Sequence, residues 1–153
     1  MDLSTLAGTA LGAILGVGST LTADRSRWKR EHTSRERVMK RELYSEYLAA
    51  LALATHKMRD LRRPGPLTSG ERMGRAGEVL SDSGVYRLRY QMQIGAPETL
   101  GEASEQAFDS LRKLRDRFDE PDVCTDPGWD DSIAAVSKTI EVLKLAMRDD
   151  LSS

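Results

Sequence analysis

Residues 43–61, LYSEYLAALALATHKMRDL, carry apolar side chains at helical spacing. The positions recur every three or four residues, which is the period of one face of an α-helix. The stripe consists of Leu43, Tyr47, Leu48, Leu51, Ala54, Met58 and Leu61. Neither proline nor glycine occurs from Asp24 to Arg63, so one unbroken helix is predicted over 24–63. The stripe predicts that the second half of this helix packs into a domain.

Breaking residues and two further stripes follow the long helix. Pro64, Gly65 and Pro66 end it, and Thr68 with Glu71 three residues later predicts a capping box at the next helix. Apolar positions at helical spacing then predict two more helices. The first stripe is Leu100, Ala103, Ala107, Leu111, Leu114 and Phe118, with Pro97 placed at its first turn, and the second is Trp129, Ile133, Val136, Ile140, Leu143, Met147 and Leu151.

Residues 85–94, VYRLRYQMQI, alternate apolar and polar side chains, as a half-buried strand does. No second segment with this pattern is found, and an isolated strand leaves its backbone groups unpaired. We therefore predict a helix here, with a strand shared between two copies as the alternative. The predicted fold is all-α: the long helix packs with about three further helices in an antiparallel bundle over 43–153.

Residues 3–23 upstream contain no charged side chain. Twenty-one helical residues extend about 31 Å, the thickness of the hydrocarbon core of a bilayer. We predict a transmembrane anchor at 1–23, joined by a charged helical stalk at 24–42 to the bundle. Three alternatives are a cleaved signal peptide, a glycine-rich helix buried in a soluble fold, and a peripheral helix. The signal peptide fits poorly, because Asp2 precedes the apolar run and the basic cluster follows it.

Small residues share one face of the predicted anchor. In a bilayer such a face lets two helix backbones approach closely. The helix-association residues predicted from it are Ser4, Gly8, Gly12, Gly16 and Thr20, and they predict a homo-oligomer formed through residues 3–23. The alternatives are that the small residues are incidental, or that the hydroxyl groups line a pore between several copies.

A basic cluster follows the predicted anchor directly, with Arg25, Arg27, Trp28, Lys29 and Arg30 as the predicted membrane-interface residues. Positively charged flanks favour the cytoplasmic side, and tryptophan favours the interface. These residues predict a single-pass protein of the cell membrane, with its N-terminus outside and its C-terminal domain in the cytoplasm.

Charge is sorted along the chain although the formal net charge is only −1. Residues 24–63 carry a net charge of +6, and residues 97–153 carry −7. Either two oppositely charged helical faces attract each other, or the basic half lies near an anionic surface.

No constellation of catalytic residues accompanies these patterns. His32 and His56 lack Cys or carboxylate neighbours at metal-ligand spacing, and the single cysteine, Cys124, has no base near it in sequence. The acidic run around Asp126 and Asp130 lacks the spacing of a calcium loop and is interpreted as helix capping. We therefore expect no enzyme activity, cofactor, metal or catalytic site. We also expect no nucleic-acid partner, because the Arg and Tyr residues of 86–91 form only a short motif.

The chain resembles a large set of short actinobacterial membrane proteins that have no assigned activity. The resemblance rests on the glycine-rich predicted span followed by DRSRWKRE (24–31), on RELYSEYLAAL (41–51) and on AMRDDL (146–151). The resemblance implies an anchored cytoplasmic helical domain and supplies no site residues. The expected function is a membrane-anchored, self-associating helical interaction or scaffold module. Its expected partners are the lipid bilayer and a cytoplasmic protein of unknown identity. The alternative function is a small pore-forming or membrane-perturbing protein that uses the Gly/Ser/Thr face of its span.

Overall fold

The computed structural model of the chain describes residues 34–120 and 122–153. The chain divides into two compact units, Met1–Met39, of which 34–39 are described, and Lys40–Ser153. Every buried core residue among those described belongs to the second unit.

All regular secondary structure in the described residues is helical, so the predicted all-α fold is confirmed for them. The helices are α1 (34–61), α2 (Ser69–Asp82), α3 (Val85–Gly95), α4 (Glu98–Asp116) and α5 (Gly128–Ser152), with one turn of 3₁₀ helix at Arg117–Asp119.

The predicted transmembrane anchor lies outside the described residues, as does the stalk up to residue 33. Residues 34–42 of the predicted stalk are helical. Among the described helices, none combines the length and the apolar character needed to cross a membrane.

Helix α1 ends at residue 61, two residues earlier than predicted. The N–H of Arg62 still donates to the carbonyl of Met58 at 3.1 Å, but the N–H of Arg63 donates to Asp60, only three residues back, at 3.1 Å. The final turn therefore tightens, because the residue before Pro64 is sterically disfavoured in helical geometry.

Helices α1 and α5 run in opposite directions within the bundle. The start of α1 meets the end of α5, where Tyr44 Oη donates to Asp150 at 2.6 Å and Lys40 Nζ lies 3.0 Å from the same carboxylate. The end of α1 meets the segment that precedes α5, because Arg62 donates to the carbonyls of Val123 (3.2 Å) and Asp126 (2.9 Å). Helix α4 packs extensively on α5 and supplies much of the core.

The predicted stripes form the core of the bundle. Tyr47, Leu51 and Met58 of α1 are fully buried, and all six predicted positions that begin at Leu100 are buried as well. The last of them, Phe118, lies in the 3₁₀ turn after α4. Burying large apolar side chains of this kind contributes about 1.5–3 kcal/mol each before entropy is counted.

Helix α3 confirms the helix predicted for 85–94. Its alternating apolar residues lie on different sides of the helix and have different surroundings. Leu88 and Met92 are buried, Tyr86 meets the edge of Phe108 with ring centroids 5.2 Å apart, and Ile94 is 88% exposed. The alternation is therefore compatible with a helix because α3 has neighbours on more than one side.

The helix starts are close to those predicted. The capping box at Thr68 and Glu71 is present. Pro97 stands at the N-cap of α4, one residue before the first turn in which it was predicted. Pro127 occupies the N-cap of α5, where no side chain caps the helix. The carboxylate of Asp126, one residue earlier, accepts the N–H of Gly128 at 3.1 Å, whereas Asp130, the other predicted cap, lies inside the first turn of α5.

The buried tyrosines predict a loss of stability in alkali. Burial, then the hydrogen bond to Asp150 and the charge of that carboxylate, raises the pKa of Tyr44 above its ordinary value of 10.0. Above pH 10 the unfolded chain therefore releases this proton while the folded chain retains it, and stability falls as pH rises. At pH 11 the loss is about 1.4 kcal/mol for such a tyrosine. Urea unfolding at about pH 9, 10 and 11 measures this loss. The free energy of unfolding of Tyr44→Phe should fall less over this range than that of the parent chain.

Tyr90→Phe is the matched control for this titration, because the Tyr90 side chain is 57% exposed. It should leave the alkaline decline unchanged. Equal declines in Tyr44→Phe and the parent would contradict the assigned role of Tyr44.

Two glycines should respond to alanine with opposite signs. A Cβ at Gly74 in α2 meets no atom within 4 Å, so Gly74→Ala should raise the free energy of unfolding by about 1 kcal/mol through helix propensity. Gly84 has φ of +75°, in the left-handed region, so Gly84→Ala should lower the free energy of unfolding by about 1–2 kcal/mol. Urea unfolding of the two variants measures both changes in the free energy of unfolding. If both changes had the same sign, the backbone geometry assigned to Gly74 and Gly84 would be contradicted.

Candidate binding groove

An open groove of about 730 Å³ lies where α1 ends and α2 begins. The last turns of α1 form one wall, α2 forms the other, and the connection 62–68 closes one end. Leu61, Leu67 and Val79 contribute its apolar surface. The groove is therefore long, open to solvent and lined by both apolar and charged groups.

Arg72 on α2 builds the floor of the groove. It is only 5% exposed, and its guanidinium donates to the carbonyls of Leu61, Arg63 (3.1 Å) and Gly65 (3.3 Å). These carbonyls belong to the end of α1 and to the connection that follows, where the backbone lacks helical partners. One side chain therefore satisfies the exposed end of α1 and holds the connection in shape.

The capping box fixes the start of α2 beside Arg72. Glu71 Oε2 accepts from the backbone N–H of Thr68 and from its hydroxyl, both at 2.8 Å, and Thr68 Oγ1 accepts the N–H of Glu71 at 3.3 Å. The Thr68 backbone and then its hydroxyl hold the pKa of the Glu71 carboxyl below its ordinary value. This carboxylate keeps its negative charge, and the charge of Arg75, four residues later on α2, also lowers its pKa.

Charge is unevenly distributed along the groove. Lys57, Arg63, Arg72 and Arg75 lie toward the connection, together with Asp60. Asp60 is engaged there by Arg63 at 3.1 Å and by His56 at 3.4 Å.

Two acids line the opposite end of the groove. Glu78 and Asp82 lie six and ten residues beyond Arg72, or about 9 and 15 Å along α2. The groove therefore has a basic end beside the connection and an acidic end along α2.

The other polar clusters in the described residues tie helices together. Arg89 on α3 makes a two-pronged ion pair with Glu105 on α4 at 2.8 and 2.7 Å, and its guanidinium lies 4.4 Å from the ring centroid of Phe108. Arg117 pairs with Asp126 across the segment before α5. Burial favours a raised pKa of Asp150, but the hydrogen bonds from Tyr44 and Lys40 outweigh it and lower that pKa. These groups are used in packing.

The described residues contain no group of three or more His, Cys, Asp or Glu side chains placed to hold a metal ion. His56 is exposed and pairs with Asp60, Cys124 is half-buried, and His32 lies outside the described residues. Tyr86 and Arg89, from the motif considered for nucleic acid, are engaged with Phe108 and Glu105.

All of the residues predicted for helix association and for the membrane interface lie in the first 33 residues, outside those described. The groove was not predicted from the sequence. Its available signal is the series Arg72, Ala76 and Leu80, all buried, which places an arginine at the first inward position of α2.

Comparison with protein-family models, with curated proteins and with solved structures gives no significant match for this chain. The function is therefore argued from the residues and the groove.

Proposed function

We propose that this chain is a membrane-anchored, self-associating helical interaction module without catalytic activity. The observation that carries the proposal is the groove between α1 and α2, whose shape is set by the buried Arg72 and whose walls stay open to solvent. Concave sites with apolar walls and a few placed polar groups are suited to binding. The bundle would present this groove to a cytoplasmic protein.

The proposed anchor is residues 1–23, of which residues 3–23 carry no charged side chain. An uncharged helix about 31 Å long supports a membrane span. A cytoplasmic bundle is supported by the basic residues that follow the span, Arg25, Arg27, Lys29 and Arg30.

Self-association would use the small-residue face that contains Gly8, Gly12 and Gly16. Lipid already surrounds apolar side chains, so helices in a bilayer gain by close backbone contact rather than by burying leucine. A second copy of the same span is the simplest partner for a single-pass chain.

Membrane extraction and a dimerisation assay test the anchor and its association. The full chain should remain in the membrane fraction after carbonate or high-salt washing, because lipid burial of leucine is insensitive to screening. Gly12→Leu should abolish association of the chain in a membrane dimerisation assay, whereas Leu11→Ile, on the opposite face, should preserve it. Release of the chain by salt would contradict the anchor, and association of Gly12→Leu at the parent level would contradict the glycine contact.

The alternative function, a small pore, depends on the hydroxyl groups of the same face. Dissipation of an ion gradient in vesicles that contain the purified chain would favour the pore over the interaction module. An interaction module should leave the gradient intact.

A further inference from the structure

The floor of the groove keeps an uncompensated positive charge. Within the described residues, Arg72 has no carboxylate at ion-pair distance, and its three hydrogen-bond acceptors are neutral carbonyls. Its Nε–H has no hydrogen-bond partner in this part of the chain and is not sealed from solvent. A buried arginine normally meets a carboxylate or phosphate, because burial of an unpaired charge is costly.

Two more cations stand near this floor. Arg75 lies about one turn beyond Arg72 on α2, and Lys57 lies about one turn before the end of α1. Neither forms an ion pair with any described residue, while Arg63 is paired with Asp60 at 3.1 Å. The groove therefore contains three cations without an ion pair among the described residues, Arg72, Lys57 and Arg75, and the charge of Glu71 acts on Arg75.

Glu78 and Asp82 give the other end the opposite character, and neither has an ion-pair partner among the residues described. Arg75 and Asp82 are separated by seven residues, or about 10 Å along α2. The complementary ligand therefore carries a negative group at one end and a positive group about 10 Å away.

From this charge arrangement we infer that the groove binds a peptide segment of a partner protein, with a Glu or Asp side chain over Arg72 and Arg75 and a Lys or Arg side chain near Glu78 and Asp82. This inference rests on the proposed function, because it names the partner chemistry for the same groove. A carboxylate offers two oxygens that match the guanidinium fork of Arg75 and can accept the Nε–H of Arg72, and its approach is steered by Lys57. Leu61, Leu67 and Val79 give apolar contact to the segment between the charges.

Binding of twelve-residue peptides to the full chain in neutral detergent tests the inference. The probes share an Ala/Leu scaffold and carry Glu at position 3 with Lys at position 10, Lys at both positions, or Gln at both. The Glu/Lys peptide should bind about tenfold more tightly than the Lys/Lys and Gln/Gln peptides, and its advantage should shrink as salt is raised. Equal affinity for all three peptides would overturn the inference.

Arg75→Glu and Arg148→Glu form a matched pair of charge reversals. Arg75 lines the groove, whereas Arg148 is exposed on α5 and is not among the groove residues. Arg75→Glu should weaken binding of the Glu/Lys peptide by about tenfold, and Arg148→Glu by less than about twofold. An equal loss in both variants would overturn the assigned site.

Circular dichroism and the urea midpoint show whether the Arg75→Glu chain is folded. If that variant is unfolded, the three-peptide comparison on the parent chain decides the inference. Retention in washed membranes and dependence of association on Gly12 are measured separately. A chain that keeps both properties but does not distinguish the peptides would refute the partner chemistry alone, whereas release from membranes by salt would refute the proposed anchor.

Discussion

Replacing Trp129 with alanine is expected to lower the free energy of unfolding by about 3–5 kcal/mol. Trp129 is 2% exposed in the first turn of α5, and its ring meets Phe118 with centroids 5.1 Å apart and planes at 69°. The guanidinium of Arg62 lies 5.4 Å from the same ring. Truncation would leave a cavity between the end of α1, the 3₁₀ turn and α5, and urea unfolding followed by circular dichroism measures its cost.

Two variants of α5 calibrate this result. Trp129→Phe keeps an apolar ring in the site and should cost about half as much as Trp129→Ala. Leu145→Ala on the same helix removes a side chain that is 60% exposed, so its cost should stay within about 0.5 kcal/mol. If Trp129→Ala were no more destabilising than Leu145→Ala, this end of the bundle would not depend on the aromatic pair.

Periodicity was sufficient to predict the long helices and most of the core. The stripes of α1, α4 and α5 were read from spacing alone, and residues such as Leu51, Leu111 and Leu143 are fully buried. This success has a physical basis, because a helix at the surface of a bundle must bury one face and hydrate the other.

Periodicity was insufficient where one helix has neighbours on several sides. Phe108 lies beside Ala107 in sequence, yet both are buried, because α4 contacts α3 as well as α5. Tyr44 lies outside the predicted stripe and is buried through its bond to Asp150, which is 106 residues away along the chain. Such long-range pairing of polar side chains leaves no signal in local spacing.

The groove shows the same limit of sequence reasoning. Thr68 and Glu71 predict the start of α2, and the structure confirms their capping box. The orientation of the Arg72 side chain depends on the position of the carbonyl groups of Leu61 and Gly65, which the connection 62–68 determines. That geometry depends on how the chain turns between α1 and α2, so the sequence indicates where α2 begins but not what its first inward residue binds.

Replacing Arg72 with alanine is expected to lower the free energy of unfolding by about 2–4 kcal/mol, although alanine is the better helix former. The loss arises because three carbonyls at the end of α1 and in the connection lose a charged donor, and the floor of the groove loses its side chain. Urea unfolding measures the stability, and trypsin cleavage after Arg62 should become faster because the connection is released.

Arg75→Ala is the matched control for Arg72→Ala, because the same substitution is made three residues later on α2 at an exposed position. It should change stability by less than about 0.5 kcal/mol. If the groove binds the Glu/Lys peptide, both variants should weaken that binding, while only Arg72→Ala destabilises the bundle. This separation distinguishes an arginine that builds the site from one that only contacts the ligand. Equal stability of the two variants would mean that the hydrogen bonds of Arg72 do not hold the connection, and the groove would then lack a fixed floor.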